Sequence, residues 1–484
     1  MTAKENIKNI ETHEAFLFIA LLALSAAVLI LHAVRLPFNV FWVDTAFSAD
    51  LIRLPLPEMI KATSVNEHPP FYYLFGKLVV AILGDHPWAF RATAFIPFAG
   101  IILLGLSFIR KEFGYAPAFI ITGFASFTPA SIVYVMETRM YELGCFLVLS
   151  SFLALYCLFT KPNGKRRLYW ILFFLTSVSA AYTHYYITIA VCVMHLCLII
   201  FCIRKKKELK ICTTEAVLAI VSYLPWLGVM FRNFGVRAGD WWATDYAHFD
   251  ETMSEIFGLK RFYVPALIVI AVLMIIMFIK KSDKRFITVT GILMIAVTFS
   301  AGAIVSEILR PLFLARYIYP LAGIGWLLLG MGIGECADLI LKNRKTAAGI
   351  LSGTACLALS LILIFTAYGY YRQDVSDQRA ASAVTNEFLN GFSIPEGSVI
   401  YSDFEQEEFT IAGYYFPKTE VFPENALFYY TEPEYDSFYV AVRDSSVETV
   451  VQNLDGYGYE STVLAQGKSL GFQRPVSILF CEKY

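Results

Sequence analysis

Hydrophobic residues in this chain come in long unbroken runs, and charged residues fall between them. Apolar stretches occupy approximately 15–34, 92–109, 116–135, 142–160, 168–203, 212–231, 262–280, 286–305, 312–334 and 347–368. A helix needs ~20 apolar residues to cross a bilayer, and most of these runs are about that long. The run 168–203 is too long for one crossing and is broken by Tyr182-Thr183-His184-Tyr185-Tyr186, so it predicts two helices. The pattern predicts about eleven transmembrane helices in all. A further apolar stretch, 70–83, would reach only ~20 Å as a helix, short of the ~30 Å hydrocarbon core. Pro69-Pro70 opens it and Lys77 interrupts it, which predicts a helix lying at the interface.

The polar segments test this choice. If 70–83 does not cross, the N-terminal tail, Arg110-Lys111, 161–167, 204–210, 280–285 and 342–345 share one side. Those segments hold about half of the 39 Lys and Arg residues, as the positive-inside rule asks of the cytoplasmic face. A crossing at 70–83 would send most of them outside. The pattern therefore predicts a multi-pass plasma-membrane protein with a cytoplasmic N-terminus. The first apolar run is read as an uncleaved signal anchor.

Beyond about residue 371 the pattern changes. Ser398-Val399-Ile400-Tyr401 and Phe438-Tyr439-Val440-Ala441-Val442 are strand-like, helical patterns lie at 377–391 and 446–454, and Asp403, Glu405, Glu407, Glu408, Glu432, Glu434 and Asp436 add charge. The expected fold class is a mainly α, polytopic helical bundle over 1–370 with interfacial helices in its first outer loop. A small extracytoplasmic α/β domain follows over 371–484.

Composition agrees with a membrane protein: 57% of the 484 residues are hydrophobic and 16% charged, against about 25% charged in soluble domains. The net charge of -1 selects no charged partner, and no nucleic-acid partner is expected. Of the nine cysteines, all but Cys481 lie in or beside apolar runs, so the outer segments carry no disulfide framework.

The outer segments carry a short set of polar residues. Asp44, Arg53, Glu67 and His68 lie in the first loop, and Glu137, Arg139 and Tyr141 at the next. His184 and Tyr185 lie at the break in 168–203, and Arg316 begins a later run. The span interiors look almost free of charge, whereas a proton-coupled transporter more often puts ionisable groups near the midplane. Each residue also has a plainer role. Asp44 would serve as a helix cap, Glu67 as a partner of His68 or Arg53, and Glu137 with Arg139 as a surface pair. His184 would serve as an interfacial anchor and Arg316 as a snorkelling cation.

Several motifs in order carry a resemblance. Phe41-Trp42-Val43-Asp44, Glu67-His68-Pro69-Pro70-Phe71-Tyr72-Tyr73, Trp88-Ala89-Phe90-Arg91, 129–141 (PASIVYVMETRMY), Tyr182-Thr183-His184-Tyr185-Tyr186 and Arg316-Tyr317 resemble polytopic glycosyltransferases of the GT-C superfamily. The type they resemble is family 39, which includes protein O-mannosyltransferases and lipid A aminoarabinose transferases. The resemblance covers about 1–335 and leaves the tail unassigned. It implies a polyprenyl-phosphate-linked sugar donor, an outer-side hydroxyl acceptor (a cell-envelope lipid, polysaccharide or protein) and an inverting displacement. Asp44 matches the first-loop acid, a general base; Glu67 matches the acid before the double proline, often near a divalent cation; Glu137 matches the acid of the second outer loop. Asp44 and Glu67 would hold a Mg²⁺ or Mn²⁺ ion if one is used. This chain departs from the pattern at Thr45, where a second acid is common, and at His68, where the aminoarabinose transferases carry Lys.

The residue types suit that chemistry. An ionised Asp accepts the proton of the attacking hydroxyl. Arg139, Arg316, His68 and, further along the loop, Arg53 would contact the departing phosphate, with Tyr141, His184 and Tyr185 lining the substrate. The competing reading is a transporter or flippase of lipid-linked saccharides.

Overall fold

A computed structural model describes residues 3–65, 68–161, 165–235, 249–258, 260–280, 282, 284–308, 313–342, 344–402, 412–423, 433–469 and 475–484. Among the described residues, nine helices are long and apolar enough to cross a membrane. They account for all the expected crossings except those at 116–135 and 168–181, which form shorter helices, Tyr115–Phe127 and Arg166–Ala181. The first stops because Thr128 leaves the helix in extended backbone and caps the next one, its Oγ accepting from the Ser131 N–H, with Pro129 at the first position of Pro129–Tyr134. At 13 residues Tyr115–Phe127 spans only ~20 Å, yet every residue from Ala116 to Phe127 is buried. It is sheathed in protein rather than lipid, with Tyr141–Thr160, Ala322–Ile340 and Lys345–Asn390 in the same core. The break in 168–203 is also local chemistry. His184 caps Tyr185–Lys205 by accepting the Tyr186 N–H on Nδ1 at 3.2 Å.

The stretch 70–83 forms the short apolar helix Phe71–Leu83. Lys77 donates to the carbonyls of Ile52 (2.9 Å) and Leu54, which ties this helix to the end of Val43–Arg53. The span interiors are less free of charge than the sequence suggests. His195 Nε2 lies 3.2 Å from Glu215 Oε1 between two membrane helices, and in the first turn of Tyr141–Thr160 Glu142 is fully buried, accepting from the Tyr319 hydroxyl at 2.7 Å.

The expected boundary at 370/371 falls inside one helix. Lys345–Asn390 runs for 46 residues, about 69 Å, from the last crossing into the C-terminal unit. That unit holds β1 (Val399–Ser402), β2 (Glu420–Pro423), β3 (Ser437–Arg443), β4 (Tyr459–Ser469) and β5 (Pro475–Lys483) in the order β2-β1-β3-β5-β4. β1 is parallel to β2 and β3, and β3–β5 and β5–β4 are antiparallel. Alternation sorts its two faces. Tyr401, Val440 and Leu479 join Val450 and Leu454 of the helix Val447–Gly456 in a small separate core, while Ile400, Ala441 and Ile478 belong to the main core. The sheet is thus seated on the bundle. The acids at 403–408 and Glu432 lie outside the described residues.

Candidate active site

Trp42 precedes the helix Val43–Arg53, which puts Asp44 in its first turn and Ser48 one turn later on the same face. The Asp44 carboxylate is half-buried between two guanidiniums. Arg316 Nη1 donates to its Oδ2 at 3.1 Å, and Arg139 Nη2 lies 3.7 Å from the same oxygen. Arg139 is buried and donates through Nη1 to Ser48 Oγ (3.2 Å) and to the Asp44 carbonyl (3.3 Å). Three distant segments therefore converge on one acid.

Glu137 stands beside this pair. It is 6% exposed, its Oε1 accepts from Trp42 Nε1 at 2.9 Å, and its Oε2 has no partner among the described residues. Burial pushes its pKa up to about 7, with Arg139 pulling the other way and Asp44 adding to the rise. His68 and His184 are buried with ring centroids 5.5 Å apart. Burial and then the guanidinium of Arg139 push His68 well below the usual histidine range, and the same causes take His184 down to about 3. Burial thus disfavours a charged imidazole at either position, and the cations beside Asp44 are Arg139 and Arg316.

The surroundings are short of hydrogen-bond partners. Tyr73 and Tyr141 hydroxyls, His68 Nδ1, Thr45 Oγ1, Thr138 Oγ1, and Nε of both Arg139 and Arg316 are buried without one among the described residues. Buried polar groups in folded proteins are nearly always satisfied, so such a gathering points to a ligand. An apolar cavity of about 330 Å³ opens alongside, lined by His68, His184, Tyr185, Tyr186, Ile189, Cys192, Met230, Val305 and Tyr317 among others. His68, His184 and Tyr317 are among its lining, and Arg316 adjoins Tyr317 in the chain. An apolar tail with an anionic head fits this combination.

Of the residues singled out from sequence, Asp44, Glu137, Arg139, Tyr141, His68, His184, Tyr185 and Arg316 come to one place. Tyr185 faces the cavity, and its hydroxyl accepts from Trp226 Nε1 at 3.2 Å. Arg53 does not join them. Its Nε and Nη2 bind Asp85 at 3.0 and 2.9 Å, and its Nη1 donates to the Tyr414 carbonyl at 2.8 Å, so it ties the C-terminal unit down. Glu67 lies outside the described residues. A divalent cation needs several oxygen ligands at contact distance. Among the described residues no group of three or more His, Cys, Asp or Glu gathers to hold one, and Asp44 faces two cations.

Sequence reasoning missed Ser48, the role of Trp42 and Glu255. Ser48 follows from the i, i+4 spacing once the helix is known. Glu255, on Phe249–Phe257, has a buried Oε2 without a partner among the described residues, and burial lifts its pKa to about 7, with Glu251 adding and Arg316 opposing. No motif marks it.

No protein-family model matches the chain, and no curated protein matches it. Solved structures do. ArnT from Cupriavidus metallidurans in the apo state matches with a TM-score of 0.58 at 14% identity, over 97% of this chain and 98% of that one. The same protein bound to undecaprenyl phosphate matches with a TM-score of 0.58 at 13% identity, over 95% of this chain and 97% of that one. The likeness takes in the C-terminal unit, which the sequence motifs left unassigned. This chain shares the fold of that ArnT over nearly its whole length, from the membrane bundle through the C-terminal unit.

Proposed function

We propose that the protein is a plasma-membrane glycosyltransferase that moves a sugar from a polyprenyl-phosphate donor to a hydroxyl acceptor at the outer face. The observation that carries this reading is Asp44 held against Arg316 and Arg139, next to the His68, His184 and Tyr317 lining of an apolar cavity. The ArnT structure holding undecaprenyl phosphate supports a prenyl-phosphate ligand for the shared fold. The cavity takes the part of the prenyl chain nearest the phosphate, and the guanidiniums take the phosphate. A donor phosphate offers them a second anion and loosens their hold on Asp44. The acceptor oxygen attacks the anomeric carbon opposite the phosphate and passes its proton to Asp44. The C–O bond to phosphate breaks with its electron pair going to the leaving group, where Arg139 and Arg316 stabilise the charge. The product is inverted at that carbon.

Positive-inside charge supports a cytoplasmic N-terminus and an extracytoplasmic C-terminal unit. Cell-envelope lipids, polysaccharides and proteins are all acceptors of the required chemistry. The test is transfer from polyprenyl-phosphate sugars by Asp44→Asn. Turnover should fall at least ~100-fold, and undiminished turnover at normal expression would overturn the assignment. One observation favours a saccharide transporter, the His195–Glu215 pair inside the membrane. That pair does not line the cavity, and movement of lipid-linked sugar across sealed vesicles without new glycosidic bonds would establish it.

A further inference from the structure

The loop leading into the Asp44 helix has an unusual source of hydrogen bonds. Residues 38–42 form no regular element, and such backbone needs partners from elsewhere. The Asn39 N–H donates to Ser382 Oγ at 2.8 Å, and the Val40 carbonyl accepts from Arg91 Nη2 at 2.7 Å. The Tyr415 hydroxyl lies 3.4 Å from the Phe41 nitrogen and 3.5 Å from the Asn39 carbonyl. Each partner is a side chain far away in sequence, and two of the three are in the C-terminal unit.

A buried polar ladder sits behind these contacts. Arg35, with no exposed surface, donates to Asp374 Oδ2 at 2.5 Å and to the Ile132 carbonyl at 2.7 Å. Gln378 Nε2 donates to both Asp374 oxygens, at 3.0 and 2.9 Å, and Gln378 Oε1 accepts from the buried Arg91 at 3.0 Å. Tyr414 stacks on Phe41 at 4.1 Å, and beyond Asp44 its carbonyl takes Arg53. A side chain on Gly413 would meet Asp50 Oδ2 at 2.9 Å. The grips fall at 35, 39–41, 50 and 53. They bracket Trp42, Val43 and Asp44 and touch none of them.

Burying guanidiniums costs several kcal/mol each before pairing, and apolar contacts alone would dock a sheet on a bundle. A ladder of directed bonds fixes register instead, because a shift of one residue breaks all of them. We propose that the C-terminal unit is a positioning clamp for the loop that presents Asp44, with Asp374, Gln378 and Tyr415 as its positioning residues. The link to catalysis rests on the glycosyltransferase reading; the mechanical link does not. Reactions that depend on a held geometry lose up to ~10²-fold from a 1 Å misplacement, so clamp variants slow the chemical step and leave donor affinity intact.

The test uses full-length protein in detergent and compares Asp374→Asn, Tyr415→Phe and Lys418→Ala. The last breaks an exposed pair with Glu396 within the C-terminal unit and touches none of the loop. Backbone hydrogen exchange should accelerate over 38–53 in the first two and stay at wild-type rates over 115–127. Their kcat should fall about tenfold, with KM for the polyprenyl-phosphate donor within about twofold, and Lys418→Ala should match the wild type in both readouts. Tyr415→Phe removes one oxygen and guards against simple misfolding of Asp374→Asn. Unchanged exchange over 38–53 in both variants overturns the clamp, as does a rise in acceptor KM at unchanged kcat, which marks an acceptor-binding unit. If Asp44→Asn retains full turnover, the catalytic reading fails, and exchange alone then decides the clamp.

Discussion

The two ends of the helical bundle are both rich in charge, and they use it differently. At the end opposite the candidate site, Lys280 binds Glu335 and Asp338 at 3.0 Å each, Lys161 binds Glu112, and Arg166 binds Glu208 as well as the carbonyls of Lys161 and Leu158. Cations there meet acids or helix-end carbonyls, and Glu208 Oε2 is the buried oxygen of this group left over. At the Asp44 end two arginines share one carboxylate, and Glu137, Tyr73, Tyr141, Thr138 and His68 each hold a buried atom without a partner among the described residues. The first arrangement is finished by folding, Glu208 Oε2 apart. The second is left unfinished by folding, and on the proposed function an anion and a sugar would complete it; this incompleteness distinguishes a site from a surface.

Substitutions can break that comparison. The largest effect beyond Asp44 is expected from Arg316→Ala, which removes a donor to both the acid and the departing phosphate. Transfer should fall ~10²–10³-fold, as when a single preorganised donor is lost, measured as kcat in membranes with matched expression. A fall below tenfold would return Arg316 to a snorkelling role. Glu137→Gln gives an intermediate effect, read in pH dependence. Glu137's folded-state pKa is raised to about 7, so its contribution to stability is full below its unfolded pKa of about 4.5 and lost as pH rises through 7. Glu137→Gln should therefore gain on the wild type between pH 5 and 8, by up to ~3 kcal/mol, in thermal unfolding. His68 and His184, pushed down, act with the opposite sign and weaken the fold as pH falls below about 6.5. They are common to both proteins and cancel in the difference. The smallest effect belongs to the other end. Lys280→Ala should cost under ~1 kcal/mol of stability and leave transfer within twofold, since exposed pairs contribute little.

How much of this was legible in sequence depended on range. Helix ends and caps are local, so Asp44, Glu137, His184 and Arg316 could be found by asking which polar residues border apolar runs on one side. The Thr128-Pro129 stop is equally local, but run length alone read through it. Glu142 and the His195–Glu215 pair sit within apolar runs whose average hides a single polar residue. Arg53 looked like a phosphate ligand because its competitors, Asp85 and Tyr414, are distant in sequence. The ladder from Arg35 to Asp374 spans 339 positions and has no signature in either segment.

The placement of Lys345–Asn390 bears on how the chain is made. This last crossing packs directly on Tyr115–Phe127. Ser360 Oγ donates to the Phe119 carbonyl at 2.9 Å, and a side chain on Gly123 would meet the Ser360 Cβ at 2.6 Å. Tyr115–Phe127 leaves the ribosome early, is too short to span the bilayer unaided, and gains this wall of its sheath only when residue 360 has been synthesised. Between the synthesis of residue 127 and that of residue 360, about half of the chain, this short helix lacks that wall of its sheath.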